Sequence, residues 1–330
     1  RASAAAAMRR PPCSLSCCVG AAAVLWAAVR WAPPRLLPGL LCRAPGPCKP
    51  MTRREYAARF VLTKVADMLL GSPQLWHPGP RGRIREAVAE RFGEKARAGA
   101  AFVKLQVGAN DMSHGDSSRR TGSHGDPVLA YLGSQKGGHR LVFVEANPSL
   151  EEPLRRNVAQ FFPNASSVQV VSAAVCESSA TSVPFYRLSA SFFERHPELK
   201  QLSQMSSLDR TWIQQCQGIF PHINLTEGWE EVAVRCLSPA ELLAELGLRA
   251  EDVDAITVDV EGLETELLGL FLALEGFAPL VVEFDAFTAK YVQDDSSDFV
   301  AASLAPLVGR LAARGYDVHH SADGVVALRA

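Results

Sequence analysis

Three apolar, β-branched segments end in small or acidic residues of types that bind nucleotide-like ligands and move protons. The segments are FVKLQVGAND at 102–111, LVFVEANP at 141–148 and AITVDVEG at 255–262. Such runs are typical of buried parallel strands, and ligands of open α/β sheets bind beyond the carboxyl ends of the strands. We therefore expect one crevice to collect the residues that end these segments: Gly108, Asn110, Asp111, Glu145, Asn147, Asp259 and Glu261.

The turn after the first segment has the composition of a ligand-binding loop. Gly108 allows the backbone to come close to a ligand, and Asn110 and Asp111 tolerate a tight turn while offering hydrogen bonds. The loop is not the GxGxxG of a dinucleotide fold, because it has one glycine and Met112 stands where a further glycine could stand.

Glu145 ends the second segment, where an acid is suited to binding the two hydroxyls of a ribose. The alternative is that Glu145 only stabilises the start of a helix that Pro148 and Ser149 open.

Asp259 and Glu261 lie two positions apart at the end of the third segment, so a strand places them on one face. With Glu264 they make three acids within six residues, which is costly if they are merely buried. Three acids at this position are explained if they bind a ligand or accept a proton from a substrate. The alternative is a strand end followed by a solvated helix start, in which Glu264 caps the first turn.

Strands and helices alternate through the body, which predicts a mostly parallel sheet with helices on both faces. Asp323-Gly324 predicts an antiparallel hairpin at the carboxyl end. Between 176 and 237 lies an insertion with strands at 183–188 and 232–237 and a helix near 208–216, which we interpret as a substrate-facing cap. The predicted strands of the sheet are 102–107, 141–145, 168–174, 255–260, 280–284, 315–320 and 325–329, and the helices are 127–133, 149–161, 238–246, 263–274 and 298–314.

Residues 1–50 form a leader that lies outside this pattern. Residues 1–54 carry nine Lys/Arg and no acid, and a basic Met8-Arg9-Arg10 precedes an apolar stretch. This predicts a secretory signal or an anchor, with membrane association through residues 13–29 only; import into an organelle and a tail with no address are the alternatives. Residues 51–99 are expected to form helices, near 55–70 and 84–92, that pack on the core.

The remaining composition excludes some partners. Residues 55–330 hold 25 basic and 35 acidic side chains, a net charge of −10, which disfavours nucleic-acid binding. Ser113-His114-Gly115-Asp116 recurs at 123–126, which indicates a duplicated flexible loop or, alternatively, a metal site. We expect no metal.

Cysteine and asparagine patterns bear on the compartment. The three cysteines of the body (Cys176, Cys216 and Cys236) are widely spaced, so we expect reduced, mostly buried thiols. Asn164-Ala165-Ser166 and Asn224-Leu225-Thr226 permit glycosylation if the body enters the secretory pathway.

QVGAND, VEANP and above all VDVEGLETELL resemble the FkbM-type S-adenosylmethionine-dependent methyltransferases over residues 100–330. The resemblance implies a class I methyltransferase fold, with seven strands and an antiparallel last strand. It also implies that Gly108, Asn110 and Asp111 hold the methionine part and the sulfonium of the cofactor. By the same resemblance, Glu145 binds the ribose, and Ala173 and Ala174 flank the adenine. Met112, where the family has glycine, and Thr257, where many members have lysine, are departures.

The sequence therefore predicts an O-methyltransferase that uses S-adenosylmethionine, with a sugar, polyketide-like or other small hydroxyl acceptor implied by the resemblance alone. Asp259 and Glu261 are the candidates for the base or for orienting the acceptor. One alternative is a nicotinamide-dependent oxidoreductase, although the absence of a GxGxxG motif argues against it. The other is a non-catalytic binding module with the same fold.

Overall fold

A seven-stranded sheet runs through the part of the protein that the computed structural model describes, residues 78–112, 126–212, 223–284, 297–320 and 325–329. Its strands are β1 (Phe102–Val107), β2 (His139–Glu145), β3 (Ser167–Ser172), β7 (Val253–Val258), β8 (Val281–Phe284), β9 (Tyr316–His320) and β10 (Val325–Arg329); β4 to β6 belong to a second sheet described below. The order across the sheet is β3-β2-β1-β7-β8-β10-β9, and all neighbours are parallel except β10, which is antiparallel to β8 and β9.

Helices cover both faces of this sheet because the central strands are apolar on both sides. Leu105 belongs to a core with Leu268 and Leu307 on one face of the sheet. Phe102 on the same strand belongs to a second core, with Val88 and Leu154. This is the predicted α/β class I methyltransferase architecture, and the prediction is confirmed. The helices are α1 (Pro78–Arg97), α2 (Pro127–Leu132), α3 (Glu151–Phe161), α4 (Ala190–Arg195), α5 (Pro239–Glu245), α6 (Glu264–Ala273) and α7 (Ser297–Ala313).

The register of the sheet brings the ends of four strands to one level. Val107 pairs with Val144 on one side and with Val258 on the other, and Glu145 pairs with Ser172. The chain also reverses its direction of winding between β1 and β7, which is where open α/β sheets bind ligands.

A second, three-stranded sheet carries the insertion. Its order is β4-β6-β5, with β4 (Ala174–Val175), β5 (Ala180–Leu188) and β6 (Trp229–Leu237). The prediction of one continuous strand over 168–174 is wrong. The strand leaves the large sheet at Ala173, whose N–H donates to the carbonyl of Glu145, and β4 then pairs with β6.

Cys176 and Cys236 form a disulfide, so the prediction of reduced thiols is wrong for these two residues. They are 60 residues apart in sequence, but the pairing of β4 with β6 brings their Cα atoms to 5.9 Å, within the range that a disulfide spans. Sequence spacing gave no sign of a pairing that depends on the cap's fold.

Several predictions extend beyond the described residues. The leader 1–50 with its stretch 13–29, the helix at 55–70 and the duplicated segment up to residue 125 lie outside them, and the helix near 208–216 is described only to Trp212. The helix predicted at 84–92 lies within α1. Among the described helices, none combines the length and apolar character needed to cross a membrane. The domain boundaries stay a prediction.

Candidate functional site

A cavity opens at the carboxyl ends of β1, β2 and β7, and the small sheet closes one side of it. Seven of the nine predicted site residues line it, namely Gly108, Asn110, Glu145, Ala173, Ala174, Asp259 and Glu261. The apolar part of the wall comes from Val107, Val144, Leu150, Val175, Phe185, Leu208, Val260, Leu263 and Leu267. Across the sheet, Ala173 follows β3, Glu145 ends β2, and the two acids Asp259 and Glu261 follow β7.

Gly108 is the point where the loops after β1 and β7 meet. Its φ is +77°, and a Cβ built on it would lie 1.6 Å from the carbonyl oxygen of Asp259. Only glycine fits both the backbone conformation and the space. The predicted close approach is thus present, but the group that approaches is the neighbouring strand end.

The β1 loop contains two further residues in the left-handed region, Asn110 at φ +52° and Met112 at φ +58°. Asparagine tolerates this conformation, whereas a long side chain is strained there. The side chain of Met112 is buried in the core beneath the loop, which offsets the strain. The position where the sequence led us to expect glycine does have a glycine-like backbone.

Glu145 is buried, and each of its carboxylate oxygens accepts one backbone N–H bond. The N–H of Asn110 donates to Oε2 at 2.7 Å, and the N–H of Asn147 donates to Oε1 at 2.7 Å. Burial raises the pKa of Glu145 to about 7; the charge of Asp259 adds to the rise, and the backbone bonds oppose it. A carboxylate offers about four lone-pair sites, so the two oxygens can still accept hydroxyl protons from a diol.

Asp111 and Asn147 are not among the residues that line the cavity, so the structure does not place them as cofactor contacts. The backbone N–H of Asp111 donates to Asn110 Oδ1, and the Asp111 carbonyl accepts from Asn157. Asn147 Oδ1 accepts from Arg187 at 2.9 Å and from Ser149. Both residues hold the loops in place behind the cavity wall.

Asp259 and Glu261 are the acids of the loop after β7. Burial raises the pKa of Asp259 to about 6, so this carboxyl is mostly ionised at neutral pH and remains a stronger base than an exposed aspartate. Glu261 has φ +56°, a rare conformation for a non-glycine residue outside special sites. The predicted strand over 255–260 is wrong at its end: β7 stops at Val258, so the two acids lie in the loop after the strand and do not share a strand face. Both nevertheless line the cavity, as predicted.

Glu264, at the start of α6, is fully buried and supports the loop that carries these acids. Its Oε1 accepts the N–H bonds of Gly262 (3.0 Å) and Val260 (3.3 Å), while Oε2 is buried with no hydrogen-bond partner among the described residues. Burial raises the pKa of Glu264 to about 7, and the charge of Asp259 contributes. The solvated helix start that we considered for Glu264 is therefore wrong.

The insertion supplies wall residues that sequence reasoning did not name. Phe185 on β5, together with Ser206 and Leu208, lines the cavity beside Ala173 and Ala174. Arg187 also lies on β5 and donates to Glu230 at 2.8 Å as well as to Asn147. Val183 and Phe185, two positions apart on the predicted strand, share one strand face, but the sequence does not show which element that face meets.

A buried ion pair joins β1 to the start of α2. Lys104 Nζ is 2.8 Å from Asp126 Oδ2 and also donates to the hydroxyl of Thr257. Asp126 caps α2 by accepting the N–H bonds of Val128 and Leu129. Asp126 is thus a structural residue; the rest of the duplicated segment lies outside the described residues. Within the described part of the chain no cluster of three His, Cys, Asp or Glu residues could hold a metal.

Comparisons with known proteins give a likeness of shape only. No protein family model matches the chain, and no curated protein matches it. One solved structure, the precorrin-6y C5,15-methyltransferase from Geobacter metallireducens GS-15, is 14% identical, with a TM-score of 0.31 over 70% of this chain and 81% of that one.

A second solved structure is the O-methyltransferase from Bacillus cereus in complex with SAH. It is 12% identical, with a TM-score of 0.34 over 93% of this chain and 97% of that one. Likenesses this weak carry no assignment of function, whereas the strand order and the cavity are properties of this chain itself.

Proposed function

We propose that this chain is an S-adenosylmethionine-dependent methyltransferase of the FkbM type that methylates a hydroxyl group. The observation that carries the proposal is the carboxylate of Glu145 at the carboxyl end of β2, next to β1, where it is buried, fixed by two backbone N–H bonds and open to the cavity. A ribose diol can donate to both of its oxygens, and the sequence around it resembles that family.

The cavity suits the two ends of such a cofactor. Ala173, Ala174 and Phe185 form an apolar wall on one side of Glu145 that fits an adenine ring, and Gly108 and Asn110 lie on the other side, where the methionine part would be held. When bound, the cofactor supplies an electrophilic methyl group on a sulfonium.

Asp259 is the residue we assign to the acceptor's proton. Its carboxylate lies on the cavity wall, and a base with a pKa near the working pH is the most effective general base. Glu261 would orient the acceptor from the same loop. Much of the acceleration in an in-line methyl transfer comes from holding the acceptor oxygen near the methyl group, so positioning matters as much as proton removal. The acceptor we favour is a sugar or another small hydroxylated molecule.

Calorimetry on the full chain tests the cofactor assignment. We expect S-adenosylmethionine to bind and NAD not to bind, and Glu145→Ala to weaken binding by about 1–3 kcal/mol, the scale of a lost charged hydrogen bond. Glu152→Ala, an exposed acid on α3, is the control and should bind like the wild type. Binding of NAD alone would favour the oxidoreductase.

Methyl transfer in an acceptor screen tests the reaction. Asp259→Asn should retain cofactor affinity and lower the rate by about 10²–10⁴-fold, and the wild-type rate should rise with pH through a midpoint of about 6. Cofactor binding without turnover of any hydroxylated acceptor would favour the non-catalytic binding module.

A further inference from the structure

The disulfide between Cys176 and Cys236 bears on the compartment in which the chain folds. It joins β4 to β6, with Cys236 buried, and it closes a loop that contains the whole cap. Disulfides form and persist in oxidising compartments and are rare in the cytosol of most cells. The bond therefore indicates folding in an oxidising compartment.

The distribution of asparagine gives a second, independent observation. The chain contains five asparagines: Asn110, Asn147, Asn157, Asn164 and Asn224. The first three are at least partly buried, and none begins an acceptor triplet: Asn110 and Asn157 lack Ser or Thr two positions later, and Asn147 is followed by Pro148. The other two are exposed, and both begin Asn-x-Ser/Thr.

Asn164 lies in a turn between α3 and β3. Its carbonyl accepts the N–H of Gly137 at 2.7 Å, and Ser166 Oγ accepts the N–H of Gly138 at 2.7 Å. These two bonds hold the turn, while Asn164 itself is exposed. This turn precedes β3 and is therefore at the amino-terminal edge of the parallel strands. A group attached here points away from the cavity at the opposite edge.

Asn224 begins a short 3-10 turn of the cap, Leu225–Glu227. Leu225 is fully buried in the small core of the cap, whereas Asn224 and Thr226 on either side of it are exposed. The hydroxyl of Thr226 donates to Asn224 Oδ1, so the hydroxyl and the amide of this triplet are next to each other at the surface.

We propose that Asn164 and Asn224 are acceptor sites for N-linked glycans, attached in the oxidising compartment in which the Cys176–Cys236 bond forms. The donor is an oligosaccharide on a lipid pyrophosphate: the Asn Nδ2 bonds to the anomeric carbon, the bond from that carbon to pyrophosphate breaks, and the amide loses one proton. In the disulfide step the two thiols lose two protons and two electrons to a protein disulfide, which is reduced to a dithiol. Both modifications lie on the surface or in the cap, so the cavity stays open.

The test is expression of the full chain behind a cleavable secretory signal in cultured mammalian cells. The cytosolic control is residues 51–330, which lack the predicted leader and carry no added signal; its sites are read on peptides, so the control does not depend on how well this part folds. Mass spectrometry before and after treatment with peptide-N-glycosidase reads the occupancy of each site, because the enzyme converts a glycosylated asparagine to aspartate. Thiol alkylation without reductant reads the state of Cys176 and Cys236.

We expect two glycans and a closed disulfide on the secreted chain and neither on the cytosolic chain. Asn164→Gln and Asn224→Gln should each remove one glycan, while Ser166→Thr and Thr226→Ser, which preserve the triplets, should remove none. An unmodified Asn164 or Asn224 overturns the assignment for that residue, and free thiols overturn the common compartment. Because glycans are read on peptides, a variant that folds poorly still gives a result.

Discussion

The loops after β1 and β7 face each other across the cavity, and they are held in different ways. The β1 loop is tied by a residue outside it, since the N–H of Asn110 donates to Glu145 at the end of β2. The β7 loop is tied by Glu264, which immediately follows it and lies outside the cavity wall. For the first loop, one carboxylate, Glu145, both braces the loop and is the proposed ligand contact. For the second loop, the bracing residue Glu264 is separate from the acids that line the cavity.

The difference teaches which substitutions separate stability from function. A change at Glu145 removes a proposed ligand contact and a brace together, whereas a change at Glu264 removes only a brace. The contact between the loops at Gly108 depends on neither carboxylate. Substitutions at these positions therefore test the comparison one part at a time.

The largest effect is expected where the two loops touch. Gly108→Ala places a Cβ 1.6 Å from the Asp259 carbonyl oxygen at a φ of +77°, so one loop must move. We expect a loss of about 3 kcal/mol or more in the free energy of unfolding in urea. The control is Gly99→Ala, at φ +67° with no atom within 4 Å, which should cost about 1 kcal/mol. Equal losses would show that the contact does not require glycine.

The next effect concerns the brace of the β7 loop. Glu264→Ala leaves the buried N–H groups of Val260 and Gly262 without their acceptor, and we expect a loss of about 2–4 kcal/mol in urea unfolding at pH 5. Glu266→Ala, an exposed acid on the same helix, should change stability by about 0.5 kcal/mol or less. The rate of methyl transfer should fall more than the cofactor affinity, because the loop carries Asp259. A larger loss of cofactor affinity than of rate would contradict the view that Glu264 only braces this loop.

A third, pH-dependent effect comes from the charge on Glu264. Its folded pKa of about 7 lies above the unfolded value, so the folded state binds more protons between about pH 4 and 7. The stability that this adds is present below the unfolded pKa and is lost as pH rises through 7. Glu264→Gln keeps an acceptor oxygen but cannot ionise.

We therefore expect the drop in unfolding free energy between pH 5 and pH 8 to be smaller in Glu264→Gln than in the wild type by about 2–3 kcal/mol. Glu266→Gln is the control and should follow the wild-type curve. An unchanged pH dependence in Glu264→Gln would mean that Glu264 is ionised throughout this range.

The smallest effect tests the strained residue of the β1 loop. Met112 is buried at φ +58°, a conformation that strains alanine but not glycine. Both Met112→Ala and Met112→Gly lose the buried side chain, yet we expect the glycine variant to be about 1 kcal/mol more stable than the alanine variant. In an ordinary strand or helix the alanine variant is the more stable of the two. Comparing the melting temperatures of the two variants therefore shows whether the backbone at residue 112 is strained.

The ends of the strands could be predicted from sequence because each buried apolar run stops at a polar residue. Glu145, Asp259 and Glu261 were placed in this way, and the cavity contains all three. Phe185 could not be placed, since its position depends on how the cap pairs with β4. The bracing by Glu264 and the pairing of Cys176 with Cys236 likewise depend on contacts that only the folded chain makes.

Asn147 connects the cap to Glu145, the carboxylate that we propose binds the cofactor. Its backbone N–H donates to Glu145, and its side-chain oxygen accepts from Arg187 on β5. Consider a cap that moves between an open and a closed position. In the closed position Arg187 bonds to Asn147, and Asn147 in turn bonds to Glu145, so Glu145 keeps both of its backbone hydrogen bonds. By thermodynamic reciprocity, cofactor binding then favours the closed cap to the same extent that closing the cap tightens cofactor binding. An acceptor held by the cap and the cofactor would thus bind with positive cooperativity, although they need not touch the same residue.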